Sequence, residues 1–266
     1  MQNLDEFIAS PVEIEEQLLK LFNKSDELVI FDIGACECED SIRYLKLFPN
    51  AKIHAFEPRP DNVITARRNL AAFDARSIEL AEIALSDDVG TAIFHLSSGG
   101  EDSTGSNFNR YNKSSSLFKP ELEETQKYWP TLSFDETIEV QTDKLENYCM
   151  EKSINSIDFI HMDVQGAEIM VLRGAGRLVN QIKSVWLELG DVPLYQGQPL
   201  RNEVDTFMKD HGFIKILESE ALADVYGDAL YVNKDFFPEA QQVQVNDKEP
   251  LPGLFAKLAG LVKKRG

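Results

Sequence analysis

Apolar residues along this chain fall into short runs that switch between a helical and a strand-like pattern. Residues 11–23, PVEIEEQLLKLFN, space Val12, Ile14, Leu18, Leu19 and Phe22 along one side and predict an amphipathic lead-in helix. ELVIFDIG (27–34) is a short continuous apolar run, the pattern of a buried strand. EDSIRYLKLF then predicts a helix stopped by Pro49. AKIHAFEP reads as a strand. PDNVITARRNLAAF reads as a helix with Pro60 at its start and Asp61 in its first turn, and SIELAEIAL as a third strand. This β-α-β-α-β order, with unbroken apolar strands, predicts an α/β fold whose parallel sheet is covered on both faces.

The pattern weakens after TAIFHL, a candidate extra strand. Residues 97–137 are rich in Ser, Gly and Asn, as in SSGGEDSTGSNFNRYNKSSS, and are predicted to be an inserted loop or lid. Its aromatics, Tyr111, Phe118, Tyr128, Trp129 and Phe134, can either stack on a ligand or form a small core of their own. Regular alternation resumes with TIEVQ, TDKLENYCMEK, SIDFIHMDV, AEIMVLRGAGRLV, KSVWLELG and RNEVDTFMKDHG, and ends with FIKIL and DALYVN as an antiparallel pair. The chain thus divides into a helical lead-in (1–27), a body (28–237) holding the insertion, and a linker with a basic amphipathic helix (238–266).

Composition narrows the partners. The chain has 266 residues and a net charge of −18, which disfavours nucleic acid as a ligand of its overall field. Its start, MQNLDEFIAS, lacks the apolar stretch of a signal peptide, and no run is long enough to span a bilayer. Three sparse cysteines fit reduced thiols in a cytoplasmic protein. In the tail, Leu254, Leu258, Leu261 and Val262 share a helical face while Lys257, Lys263, Lys264 and Arg265 add only positive charge. That pattern fits a terminal helix docked on the body or a frayed end, or else a weak membrane-surface or partner helix over 254–265, peripheral and without a transmembrane segment.

Candidate chemistry lies at the strand ends, where open parallel sheets bind ligands. Asp32 precedes Gly34 at the end of strand one, and Glu57 ends strand two, 23 residues after Gly34. A glycine turn admits a ligand against the backbone, and an acid at the second strand's end accepts hydrogen bonds from ribose hydroxyls. A pyrophosphate cradle needs several glycines and only Gly34 is present, while GxxxxGK[ST] is missing. A phosphate-free adenosine ligand fits better, and S-adenosyl-L-methionine is the expected cofactor. Cys36 and Cys38 offer two soft ligands with no nearby third or fourth, so no structural metal site is expected there.

The blocks VIFDIGACECEDSIRYLK, AFEPRPDNVITARRNL, ALSDDVGTAIFH, TDKLENYC, IDFIHMDVQGAEIMVLRGA and VWLELGDVPLYQGQPL, in that order, resemble the FkbM family of S-adenosylmethionine-dependent methyltransferases over residues 28–218. The resemblance implies a Rossmann-like class I methyltransferase fold, a seven-stranded, mostly parallel sheet with helices on both faces. It also implies O-methylation of a hydroxyl on a sugar, glycan, glycolipid or related metabolite. Carried over by position, it places the cofactor turn at Asp32, Gly34, Ala35 and Cys36, the ribose acid at Glu57 beside Pro58, and adenine near Ala84, Leu85 and Ser86. Asp163 ends strand four, where the resemblance implies a cofactor-facing or catalytic group. The chain departs from the family in having cysteines at two glycine places and His161 where lysine is frequent.

Methyl transfer to a sugar hydroxyl needs alignment and a base. Asp163 is the first candidate for that base and His161, two residues earlier on the same face, the second, with Glu188 similarly placed on the next strand. The alternative for His161 is a hydrogen-bonded core histidine. Asp163, Glu188 and Asp191 can also hold a divalent cation through oxygens, and Glu168 can stabilise the first turn of its helix. Tyr195 and Gln198, after strand five, are candidate acceptor contacts. Two other readings compete. Tyr148 and Lys152 share the spacing of an NAD-dependent short-chain oxidoreductase, and the incomplete glycine turn suits a non-catalytic glycan-binding scaffold.

Overall fold

The structure is a computed structural model and describes residues 4–99, 111–219 and 225–242. Two short helices, α1 (Leu4–Ala9) and α2 (Glu13–Leu21), lead into β1 (Val29–Ile33), α3 (Glu39–Leu47), β2 (Lys52–Phe56), α4 (Pro60–Ala72) and β3 (Ile78–Ala81). The chain then makes β4 (Ala84–Leu85), β5 (Gly90–Gly99), α5 (Leu122–Tyr128) and β6 (Leu132–Asp143). It continues through α6 (Leu145–Glu151), β7 (Ile157–Met162), α7 (Glu168–Gly174), β8 (Ile182–Gly190), α8 (Arg201–Asp210), β9 (Phe213–Glu218) and β10 (Tyr226–Asn233).

Seven strands form the main sheet in the order β3-β2-β1-β7-β8-β10-β9. All neighbours are parallel except β10, which runs antiparallel between β8 and β9. This is the seven-stranded, mostly parallel arrangement that the resemblance implies, with the order reversing between β1 and β7. On one face Phe31, Ile33, Ile160, Met162, Val185 and Leu187 pack against Leu145, Leu172 and Met208 of α6, α7 and α8. On the other, Ile30, Ile53, Phe159 and Leu230 meet Leu18, Ile42 and Ala66 of α2, α3 and α4. Burying apolar side chains on both faces is why these strands lack polar alternation.

The lead-in helices are tied to α3 by one buried cation. Arg43 donates to the Phe7 and Ser10 carbonyls at 2.9 and 2.8 Å and pairs with Asp40 at 3.1 Å and Glu15 at 3.4 Å. Its guanidinium also lies 4.4 Å from the centre of the Phe7 ring.

Two expectations change. SIELAEIAL is not one strand: β3 stays in the main sheet, while β4 leaves it to pair in parallel with β6. The 97–137 segment is also more regular than its composition suggests. β5 and β6 form a long antiparallel ribbon, and a 3-10 turn (Tyr111–Ser114) and α5 lie between them. In β6 only Leu132, Val140 and Thr142 are buried, so the apolar signal of a strand is thin. The aromatics Phe118, Trp129 and Phe134 pack with Leu194, Tyr195 and Val225 in a small core of their own. Residues 100–110 and the predicted tail helix over 254–265 lie outside the described residues. Among the described residues no helix is long and apolar enough to cross a membrane.

Candidate active site

The turn after β1 is shaped by contact with the loop after β7. Gly34 has φ +86°, and a Cβ there would sit 1.9 Å from the Asp163 carbonyl oxygen. Glycine is therefore required by a close approach of backbone to backbone. Cys36 and Cys38 are also left-handed, with φ +47° and +60°. They keep the conformation that glycine would favour, at about 1–2 kcal/mol each. Cys38 buries its thiol in the core, while Cys36 borders the cavity above the turn.

Glu57, the first residue after β2, locks this turn. Its Oε2 accepts the Cys36 N–H at 2.9 Å and its Oε1 accepts the Arg59 N–H at 2.7 Å. Burial pushes the carboxyl up to about 8, against the stabilising hydrogen bonds from the Arg59 amide, the Asn62 side chain and the Cys36 amide. With the Asn62 side chain as a third donor, the carboxylate keeps one lone pair for a ligand hydroxyl.

The cavity holds about 530 Å³ of space, part of it open to solvent. Gly34, Cys36, Glu57, Pro58 and Asn62 form its polar side, and Ile83, Ala84, Leu85, Phe94 and Leu117 its apolar side. Asp163, Val164 and Ala167 close the floor. An apolar slot beside a carboxylate that can still accept from a hydroxyl suits an adenosine, so the residues fit S-adenosylmethionine. Three candidate cofactor residues do not line this space. Asp32 is buried beneath the turn and accepts the Ser41 hydroxyl. Ala35 donates its N–H to the Phe56 carbonyl at 2.9 Å. Ser86 donates its N–H to the Asp143 carbonyl at 2.9 Å.

A group of acids gathers around Asp163. Asp163 follows β7, and its Oδ1 accepts from Gln165 Nε2 at 2.6 Å. The same nitrogen lies 3.3 Å from Glu188 Oε2, so Gln165 bridges the two acids. Asp228 on β10 stands opposite Glu188 on β8. Burial raises all of these carboxyls, and mutual repulsion raises them further. Glu188 is held well above its usual range by burial and then by Asp163, Glu168 and Asp228, and Asp163 is also raised by burial. Asp228 reaches about 6, by burial and then by Asp163. Burial likewise takes Glu168 to about 7, although its Oε1 accepts the Gly166 N–H at 3.2 Å at the start of α7.

His161 neighbours Asp32 across β1 and β7, with Nδ1 3.3 Å from Asp32 Oδ1. Burial works to lower its pKa, but pairing with Asp32 and the charges of Asp40 and Asp163 win and push it up to about 9. The imidazole is thus protonated at neutral pH. Its charge balances the surrounding anions.

The remaining candidates have definite places. The Tyr195 hydroxyl, with one proton to give, lies 2.7 Å from the Ser114 carbonyl and 3.0 Å from Gln165 Oε1, at the edge of the acid group. Gln198 turns inward, its Oε1 accepting the Leu194 and Tyr195 N–H groups at 3.0 and 3.2 Å. Both oxygens of Asp191 are held by Arg201. Among the described residues no three acidic, cysteine or histidine side chains gather in an arrangement that holds a metal ion. Tyr148 meets His54 Nδ1 at 2.9 Å and Lys152 pairs with Glu79, both away from the cavity. Lys113, Ser115 and Asn62 also line the cavity, and Gln165 and Asp228 lie among the acids around Asp163, none of them marked by the sequence pattern. Asn62 is buried beside Asp61 in the first turn of α4, where the sequence does mark a helix start. Lys113 and Ser115 sit in a stretch with no periodic signal.

The FkbM methyltransferase domain matches residues 32–215 of this chain. The 2-O-methyltransferase NoeI of Sinorhizobium fredii (strain NBRC 101917 / NGR234) is 35% identical over 197 residues, 74% of this chain and 77% of the relative. The methyltransferase sdnD of Sordaria araneosa is 25% identical over 194 residues, 69% of this chain and 73% of the relative. Among solved structures, precorrin-6y C5,15-methyltransferase from Geobacter metallireducens GS-15 superposes with a TM-score of 0.45 at 15% identity, over 85% of this chain and 90% of that one.

Proposed function

The chain belongs to the FkbM family of S-adenosylmethionine-dependent methyltransferases, and from that premise we propose that it methylates a hydroxyl of a sugar, glycan or glycolipid. The observation that carries this reading is the bridged pair Asp163–Gln165–Glu188, with Asp163 lining the cavity. Carboxylates of this kind accept hydrogen bonds from hydroxyls and can take a proton from one of them. The 2-O-methyltransferase named among the relatives supports an oxygen acceptor.

The donor supplies a methyl group on a sulfonium, already a good leaving group. The protein's own residues align and deprotonate. Glu57 and the turn at Gly34–Cys36 fix the nucleoside end, and the apolar side at Ile83–Leu85 takes the purine. Gln165 holds one oxygen of Asp163 and so sets the carboxylate plane, leaving Oδ2 to receive the acceptor's proton. A base whose pKa is raised by burial operates closer to neutral pH, where proton abstraction is most efficient. Glu188 accepts from a second hydroxyl of the same ring and fixes which oxygen is attacked. Positively charged His161, behind them, keeps this concentration of acids tolerable.

Incubation of the protein with donor and a panel of mono- and oligosaccharides, followed by mass spectrometry, is expected to reveal a single added methyl on a hydroxyl. Asp163→Asn is expected to reduce turnover by about 10²-fold or more, with S-adenosylhomocysteine affinity within about threefold of the parent. Methylation of no hydroxylated acceptor, or near-normal turnover in D163N, refutes the assignment. The basic sequence at 254–265 supports a glycolipid at a membrane surface as the acceptor. Truncation after Pro252 should then weaken binding to anionic vesicles.

A further inference from the structure

The cavity is short of positive charge. Glu57 and Asp163 line it, and Asp32 and Glu39 lie close to Cys38 of the turn. Among the described residues that line it, Lys113 alone is cationic. Lys113 does not belong to the main sheet. It sits in the 3-10 turn Tyr111–Ser114, on a strap laid across the strand ends.

That strap is fixed at several points. Arg59 donates to Ser115 Oγ at 3.0 Å and to the Ser97 carbonyl at 2.9 Å. Ser116 Oγ donates to the Gln165 carbonyl at 2.8 Å, and its backbone exchanges two hydrogen bonds with His95. Tyr195 reaches the Ser114 carbonyl. Together these contacts deliver the Lys113 ammonium to one place beside the turn. There it pairs with Glu39, the first residue of α3, while its side chain stays 41% exposed toward the opening.

The amino-acid end of the donor carries both an ammonium and a carboxylate. Carboxylates in the site can meet the ammonium. A donor carboxylate placed by the turn, however, faces Glu39, since Asp40 is paired with Arg43 and Asp32 with His161, and two like charges a few ångströms apart repel strongly in a partly buried site. We propose that Lys113 Nζ binds the donor carboxylate, dividing its hydrogen bonds between that group and Glu39, so that the strap is part of the donor site. An ammonium has three donors, enough for both partners at once. This assignment rests on the donor occupying the cavity described above.

Titration calorimetry with S-adenosylmethionine and its decarboxylated form, which lacks only the carboxylate, isolates the contact. The parent is expected to bind the carboxylated ligand about tenfold tighter or more, the range of a hydrogen bond to a charged group. In Lys113→Gln that preference should shrink to within about threefold, with the decarboxylated ligand bound nearly as in the parent. Lys113→Arg should recover much of the preference. A preference that persists in K113Q overturns the assignment, and so does an equal loss for both ligands, the mark of a strap that has merely come loose. A parent with no preference for the carboxylated ligand overturns it however the variant folds. A parent that binds neither nucleoside refutes the placement of the donor in this cavity as well.

Discussion

Replacing Gly34 with alanine tests how the site is assembled. The added Cβ begins 1.9 Å from the Asp163 carbonyl oxygen, and Cβ contacts below 3.0 Å essentially do not occur. The loops after β1 and β7 must therefore part by ~1.1 Å. Alanine at φ +86° adds about 1–2 kcal/mol of backbone strain. Separation also weakens two hydrogen bonds, Asp163 N–H to the Ile33 carbonyl at 2.9 Å and Gly34 N–H to the Phe56 carbonyl at 3.0 Å. Each contributes about 1 kcal/mol. The expected destabilisation is about 2–4 kcal/mol, which a domain of ordinary stability survives. Function should suffer more. One loop carries the donor turn and the other carries Asp163, and a misplacement of about 1 Å between reacting groups costs about 10²-fold in rate. Urea denaturation, calorimetry with S-adenosylhomocysteine and turnover with labelled donor measure the three effects. Gly197→Ala is the control: it shares a left-handed φ of +79°, but its Cβ meets nothing within 4 Å. It should lose only about 1–2 kcal/mol and no donor affinity. Folded G34A with turnover within threefold of the parent would refute the argument.

Three further outcomes follow from the charges in the site. Glu57→Gln keeps the shape but puts an amide nitrogen against a backbone N–H, and should weaken S-adenosylhomocysteine at least about tenfold. In the parent, affinity should rise as pH climbs through about 8, where Glu57 ionises and becomes the better acceptor. A pH profile identical in parent and E57Q would remove Glu57 from the ribose site. Stability should move the other way. Glu57 at about 8, Glu168 at about 7, Asp228 at about 6 and His161 at about 9 all have folded pKa values above their ordinary ones. Such groups stabilise the fold fully below their unfolded pKa values, and that contribution is lost as pH rises through the folded ones. The melting temperature of the free protein should thus fall from pH 5 to pH 9, and a flat or rising curve contradicts the assignments. Cys36 should alkylate at pH 8 about tenfold more slowly than free cysteine, because burial and then the Glu39 charge raise its thiol well above the usual value. Peptide mass spectrometry after iodoacetamide reads this directly, and labelling at the rate of free cysteine contradicts it.

The parallel half of the fold is legible because its strands are buried on both faces, so Val29–Ile33, Lys52–Phe56 and Ile157–Met162 stand out as apolar runs. Acids at the ends of such runs then mark the ligand edge, which is how Glu57 and Asp163 come into view. The β5–β6 ribbon is not legible in that way. Asp135, Glu136 and Thr137 are exposed on β6, and the chain makes its strand through backbone pairing without an apolar face to announce it. Lys113 and Ser115 inherit that silence, since their place in the cavity depends on where the strap crosses the sheet. Asp32 fails differently. Its position at the strand end is right, but its pairing with His161 and Ser41 turns it into a buried support beneath the turn.

The cysteines in this turn separate two demands that a run of glycines hides. At Gly34 the demand is steric: no side chain fits between the β1 loop and the Asp163 carbonyl. At positions 36 and 38 the demand is conformational, a left-handed backbone that an L-residue can adopt at modest cost. Glu57 supplies part of the compensation by accepting the Cys36 N–H, which holds the turn in that conformation. Burial of the Cys38 thiol in the core against α3 supplies another part. A pattern search that weighs all three positions equally would score this chain as degenerate. Ranking them by what a Cβ would strike leaves one indispensable glycine, and that one is present. If the argument holds, Cys36→Gly should retain donor affinity and gain little, whereas G34A should lose it. The contrast between two substitutions two residues apart distinguishes steric from conformational need more sharply than either alone.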